Sequence, residues 1–181
     1  MSRSCMRTFV GLILALTSCS SDETTAEGQV RERASMFQRR LQAELQGAMA
    51  QGGPVAAVTV CSERAQAIAT ECSGDGLRVR RVGTRVRNPA NTPGEQDQVA
   101  LDQLAQQPDC DLLSLPAGED GVARHYLPLR VQPLCLVCHG DAAAMPQALR
   151  DVLQQRYPQD AATGHVAGDL RGAVVVESSA R

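Results

Sequence analysis

From Gln29 to about Gln51, Val30, Ala34, Phe37, Leu41, Leu45, Ala48 and Met49 recur at the three- and four-residue spacing of one helix face. Gly52-Gly53-Pro54 interrupts that pattern. A second helix is predicted from Val55 to Glu71, with Val58, Cys61, Ala65, Ile68 and Cys72 on one stripe. The period then shortens. Leu77–Val86 alternates as a strand does, although arginines hold many of its positions. Arg87–Gly94 is rich in turn residues, and Glu95–Gln107 reads as a short helix carrying Val99, Leu101 and Leu104. Asp109–Pro116 and Ala123–Val131 read as strands joined across Gly118-Glu119-Asp120-Gly121. Met145–Tyr157 is a further helix, with Pro146 suited to its first turn, and Leu170–Glu177 is a terminal strand. No internal repeat is present. Helices, strand, helix, two strands, loop, helix and strand, in that order, predict an α+β domain with a small antiparallel sheet flanked by helices.

The start of the chain is patterned differently. Arg3 and Arg7 precede an apolar run, Phe9–Leu16, that is too short to span a bilayer. The run ends in Leu16-Thr17-Ser18-Cys19, which resembles a bacterial lipobox. Residues 1–18 are therefore expected to be a lipoprotein signal peptide, with Cys19 carrying the lipid that holds the chain at a membrane. An ordinary secretory leader with an incidental cysteine is the plainer alternative, and both readings export the protein. Ser20 after the cysteine resembles the outer-membrane sorting pattern, although Asp22 follows two places later. Residues 19–29 are polar and aperiodic and read as a flexible tether to a domain spanning residues 30–181.

About 150 residues suit one domain with one core. Beyond the leader the aromatic residues are Phe37, Tyr126 and Tyr157, with no Trp, so a bulky bound group would help to fill the interior. All eighteen basic residues are Arg. Without the leader, sixteen arginines face twenty acids for a net charge of −4, which offers no basic excess for nucleic acid.

One pattern carries specific chemistry. Cys135-Leu136-Val137-Cys138-His139 is the C-x-x-C-H arrangement that attaches a c-type haem. Two thiols at this spacing reach the two vinyl groups of one porphyrin, and the adjacent imidazole then lies under the iron as proximal ligand. A zinc site needs a second ligand pair, and the remaining histidines, His125 and His165, are single. A dithiol redox pair needs no following histidine. The motif thus predicts one covalent haem c on Cys135 and Cys138, with His139 on the iron, in an exported protein. Of the other cysteines, Cys61, Cys72 and Cys110 remain after Cys5 and Cys19 are assigned to the leader and the lipid site. An odd number in an oxidising compartment leaves at least one unpaired. A Cys72–Cys110 disulfide with Cys61 free is one solution, and Cys61 bonded to either of them is another. From its stripe alone, Cys61 reads as a small core residue. Arg81, Arg85 and Arg87 can pair with haem propionates or form a solvated strand face.

Three segments together resemble the family of c-type haem domains with a PAS-like fold, known as a domain of unknown function in exported and sensor proteins. They are Val60-Cys61-Ser62; Arg81 with Arg87-Asn88-Pro89-Ala90-Asn91-Thr92-Pro93 and Glu95; and the haem motif with Tyr157–Gly164 and Gly168–Ala173. The resemblance covers roughly residues 30–178 and implies a PAS-like sheet. It also implies that Cys61 lies on the distal side of the haem and ligates the iron, with Met49, Met145, His125 and His165 as rivals. Gly83 and His165 depart from the family pattern, which has Ser and an aromatic residue there. His/Cys ligation leaves no open coordination position, so the expected role is one-electron transfer or redox response with a partner protein, not catalysis. A gas or redox sensor acting through a partner is the alternative. A peroxidase would need an acid–base group on an open face, for which His125 is the sole weak candidate.

Overall fold

The computed structural model describes residues 20–179, with side chains described from residue 25. The leader and Cys19 lie outside the described residues. The first helix, α1, spans Ser20–Thr59 and is broken in its course at Gly53, whose φ of 65° and ψ of −161° are non-helical. Pro54 follows at once and lacks the N–H that would bridge the break. This is the interruption expected at Gly52-Gly53-Pro54.

Residues 20–29 are helical and not the tether expected from their polarity. Extending an existing helix costs far less than nucleating one. Here Glu27 and Arg31 pair across one turn at 2.7 Å, and Val30 is buried. Past Thr59 the helix widens into a single π-turn, Val60–Arg64, in which the Ala65 N–H donates to Val60 O. It then continues as α2, Ala65–Cys72.

Four antiparallel strands follow: β1 (Leu77–Gly83), β2 (Leu113–Leu115), β3 (Val122–Arg130) and β4 (Leu170–Ser179). Their order in the sheet is β1-β4-β3-β2. β1 stops three residues before the predicted Val86, and β2 is cut down to the three residues that face β3. Between the strands lie α3 (Glu95–Gln106), α4 (Leu136–His139) and α5 (Gln147–Arg156).

Strand alternation builds a layer on each side of the sheet. Val79, Leu127, Val174 and Val176 pack against Val30, Ala34, Phe37, Ile68 and Cys72 of α1 and α2. Val82, Tyr126, Ala173 and Val175 pack against Ala100, Leu101 and Leu104 of α3. The sheet therefore stands between Cys72 and Cys110, which belongs to the α3 side. A disulfide between them would have to pass through the sheet, and both are free thiols, as is Cys61. The proposed Cys72–Cys110 pairing and its Cys61 alternatives are all corrected: burial as small apolar groups, not oxidation, accounts for Cys72.

The alternation reverses at one point on β4. Leu129 of β3 faces Gly172 and Arg130 faces Leu170, so Arg171 is an extra residue with no β3 partner. Across this bulge Leu170 joins the α3-side core, although regular alternation would send it to the other face. Gly172 permits the bulge. Its φ is 153°, and a Cβ there would lie 2.0 Å from Val82 O of β1.

The α3 layer is also tied down by charge. Asp97 of α3 accepts from Arg80 at 2.7 and 3.0 Å and from the Tyr126 hydroxyl at 2.9 Å. Arg80 also reaches Glu177 of β4 at 2.7 Å. Burial pushes the Asp97 carboxyl up, but Arg80, the Gly94 N–H and Tyr126 outweigh it and hold the group below its usual 3.8.

Two outcomes follow from this architecture. Asp97→Asn is expected to cost about 3 kcal/mol in urea unfolding at pH 7, because Arg80 loses one of its two buried carboxylate partners and Tyr126 a charged acceptor. Since the folded-state pKa of Asp97 is depressed, its contribution is present above the ordinary carboxylate range and lost as pH falls. The gap to wild type should therefore close below about pH 4, and a gap unchanged there would show that the carboxylate charge contributes nothing. Gly172→Ala should destabilise by about 3 kcal/mol through the clash with β1; a midpoint equal to wild type would disprove the tight approach.

Candidate cofactor pocket around His139

β3 leads into a 3₁₀ turn at Pro133–Cys135 and then directly into the one-turn helix α4, Leu136–His139. This compact path puts Cys135 at the entry and Cys138-His139 at the exit of a single turn. Gly140 ends it, because a Cβ there would lie 2.6 Å from Leu136 O. The following chain then folds back over the turn: Gly164 N donates to Gly140 O at 2.8 Å, and His165 N donates to His139 O at 2.9 Å.

His139 is buried, and its ring orientation is set by the same return. Its Nδ1 lies 2.7 Å from Ala162 O. A carbonyl oxygen can only accept, so Nδ1 carries the proton and Nε2 keeps its lone pair. Burial, reinforced by the positive charges of Arg171 and Arg87, pushes the imidazole pKa down from 6.5 to about 2. The ring is thus a neutral donor at any physiological pH. Nε2 accepts a 2.8 Å hydrogen bond from Arg171 Nη2.

The face beyond Nε2 is a pocket. Cys61, Cys135, Cys138, His139, Tyr157, Met49 and Leu45 line one part of it. Cys61 comes from the π-turn, a local widening that moves its side chain relative to the regular stripe. The pocket continues into a cavity of about 580 Å³ bounded by Phe37, Leu41 and Leu45 of α1, Arg81 of β1, Leu129, Leu134, Cys135 and Arg171. This volume falls within the roughly 300–1,000 Å³ of ordinary cofactor pockets. The structure thus brings together Cys61, Arg81, Cys135, Cys138 and His139, five residues singled out from sequence.

Arg85 and Arg87 also line the walls around His139, but their guanidinium groups are taken up by the neighbouring loop. Arg85 donates to Thr163 O and Gly164 O at 2.8 and 3.0 Å, holding the returning loop. Arg87 binds Asp160 at 2.9 Å and Cys138 O at 2.6 Å, locking α4 to that loop. These two support the site and are already engaged, whereas Arg81 forms no side-chain hydrogen bond or ion pair among the described residues. Arg81 and Arg171 are half-buried, and what they expose faces the pocket they line. Burial lowers the pKa of both, Arg171 to about 10, with the like charge of Arg81 adding to it.

Of the rival distal residues, Met49 shares the pocket, while Met145 is packed against Leu149 and Leu153 of α5. His125 bonds Ser114 at 2.9 Å on the far strand pair. His165 lies behind His139, its ring at 72° to the His139 ring with centroids 6.3 Å apart. It is buried, and neither ring nitrogen has a hydrogen-bond partner, although Nδ1 lies 3.4 Å from Asp169 Oδ2. Arg171 was missed from sequence. Its signal was the Leu170-Arg171-Gly172 run, but only the bulge shows where the side chain goes.

Among the described residues no three His, Cys, Asp or Glu side chains converge to hold a metal ion by themselves. The donor set suits a metal that brings most of its own ligands: one imidazole lone pair, a thiol beyond it, two further thiols at the rim and apolar walls between.

The comparisons with known proteins agree with this geometry. No curated protein matches the chain. The crystal structure of the cyanobacterial heme-protein Tll0287 matches with a TM-score of 0.61 and 25% identity, over 88% of this chain and 95% of that one. The family model described as Tll0287-like matches residues 22–179, from the first turns of α1 to the end of β4. The chain belongs to the Tll0287-like family.

Proposed function

We propose that this protein carries one covalent haem c and serves in one-electron transfer or redox response. The observation that carries this reading is the fixed tautomer of His139, which presents the Nε2 lone pair to a pocket also lined by Cys61, Cys135 and Cys138. The likeness to a protein described as a heme-protein supports it. A bound haem supplies an Fe(III)/Fe(II) couple. Every other part of the work falls to the chain. Cys135 and Cys138 supply the thiols for attachment. His139 is the proximal ligand, oriented by Ala162 O, and Arg87 secures the helix that carries it. Cys61 would supply the second protein ligand to the iron; as a thiolate it would donate charge and favour the ferric state, lowering the potential. Phe37, Leu41, Leu45 and Leu129 would offer the group an apolar wall. Arg81 is free to meet a propionate.

Export and anchoring through a lipid on Cys19 belong to the same reading, since C-x-x-C-H attachment takes place outside the cytoplasmic membrane. Among the described residues no helix is long and apolar enough to cross a membrane.

Absorption spectra test the ligands. Cys61→Ala is expected to lose the low-spin thiolate spectrum while retaining covalent haem; an unchanged spectrum would remove Cys61 from the iron. The double variant Cys135→Ser, Cys138→Ser should release its haem into acidified organic solvent, which the wild type should not. Carbon monoxide binding rapidly to the reduced wild type would move the role from transfer to gas sensing. For the anchor, Cys19→Ala should shift the protein from the membrane fraction to the soluble one in a fractionated bacterial host.

A further inference from the structure

We propose that Arg171 guards the iron-binding nitrogen of His139 and, once drawn away from it, forms with Arg81 a clamp for the two carboxylates of the cofactor. The inference rests on the haem reading above. Three independent features of the chain carry it.

The first is aim. By regular alternation Arg171 would lie on the α3 side of the sheet with Ala173 and Val175. The bulge opposite Leu129 and Arg130 turns it to the α1 side, where it meets Arg81 in the wall of one cavity. Gly172 permits this through a backbone conformation closed to other residues. The fold therefore gives up a regular ladder position to direct this guanidinium into the pocket.

The second is competition. A guanidinium has only donors, so the 2.8 Å contact engages the single lone pair of Nε2. Iron needs that same lone pair. Ligation and the Arg171 hydrogen bond exclude each other, and Arg171 must withdraw for the metal to bind.

The third is charge. Nine arginines among the described residues, including Arg80 and Arg87, are ion-paired with carboxylates. Arg81 and Arg171 share a pocket wall and are not; Arg85 and Arg130 in the same walls also lack an acid, but their guanidinium groups donate to backbone carbonyls. Two cations held close together without an anion are costly, and a ligand bearing two carboxylates removes that cost. The cavity of about 580 Å³ between Arg81, Cys135 and Leu134 gives Arg171 room to meet one. Loading is then an exchange: the hydrogen bond between Arg171 and His139 breaks as the Nε2–iron bond and the guanidinium–carboxylate pairs form.

A porphyrin without free carboxylates tests this directly. The full chain, produced without haem-attachment machinery, is titrated with iron protoporphyrin IX and with its dimethyl ester, following the low-spin absorption band. Wild type should bind the free acid about tenfold more tightly than the ester. Arg171→Gln should bind the ester faster than wild type does and discriminate less between the two. In covalently loaded protein, Arg171→Gln should lower the midpoint potential, with a tenfold change in the reduction equilibrium equal to 59 mV for one electron. Arg171→Lys, which keeps the charge, should restore most of that shift, and circular dichroism checks that both variants are folded. Equal binding of acid and ester by wild type overturns the proposal. So does an Arg171→Gln variant that matches wild type in both loading and potential. If wild type forms no low-spin complex with either porphyrin, or if His139→Ala forms the same one, the haem reading itself fails. Haem binding that depends on His139 but is indifferent to Arg171 refutes only the clamp.

Discussion

The hydrogen bond between His139 Nδ1 and Ala162 O is the interaction on which the site depends. An imidazole has two nitrogens and, when neutral, one proton to place. Binding that proton to a backbone carbonyl decides that Nε2 is the donor atom and sets the plane in which its lone pair points. The carbonyl is held in its turn. Arg87 joins Asp160 of the same loop to Cys138 O, Arg85 binds Thr163 O and Gly164 O, and backbone bonds from Gly164 and His165 return to Gly140 and His139. The tract from Tyr157 to Gly164 lies far from the C-x-x-C-H motif in the chain, yet it acts as the motif's outer support.

The sheet contributes two kinds of arginine, and strand alternation separates them. Arg78 and Arg80 point to the α3 side, where Glu177 and Asp97 neutralise them and the layers are tied together. Arg81, one position further, points to the α1 side and meets no acid. In a chain whose basic residues are all arginine, parity along a strand thus separates arginines tied to acids from one that lines the pocket. Arg171 reaches the second group only because the bulge on β4 reverses parity at that point.

This explains what was legible in the sequence. Helix and strand positions followed from periodicity because most apolar residues sit on one face of their element, and the break at Gly53 was marked by the residues that cause it. The Cys135–His139 turn stood out as a candidate because the attachment proposed for it demands a fixed local spacing. Cys61 became a candidate ligand only by resemblance, since a thiol on an apolar stripe looks the same whether it packs or ligates. The tether was misread because polarity does not prevent a helix that is already nucleated downstream. The disulfide was misread because cysteine counting carries no information about which face of a sheet each residue occupies. Parity reversal at a bulge, the π-turn at Val60–Arg64 and the burial of His165 leave no local pattern, since each depends on what packs across from it.

The two sides of the pocket are built with unequal stiffness. His139 is clamped through its own ring, through its carbonyl and through the neighbouring Cys138 carbonyl, and its surroundings are buried. Cys61 sits half-buried in a π-turn, between the Gly53 break upstream and the regular helix α2 downstream. A π-turn exchanges with regular helix by shifting one hydrogen-bond register, a smaller rearrangement than freeing a ring held at several points. The Cys61 side of the pocket is therefore the softer one, with His139 as its fixed wall. Behind His139, the buried ring of His165 adds a packing contact without competing for its hydrogen bonds, which leaves the proton on Nδ1 under the control of Ala162 alone.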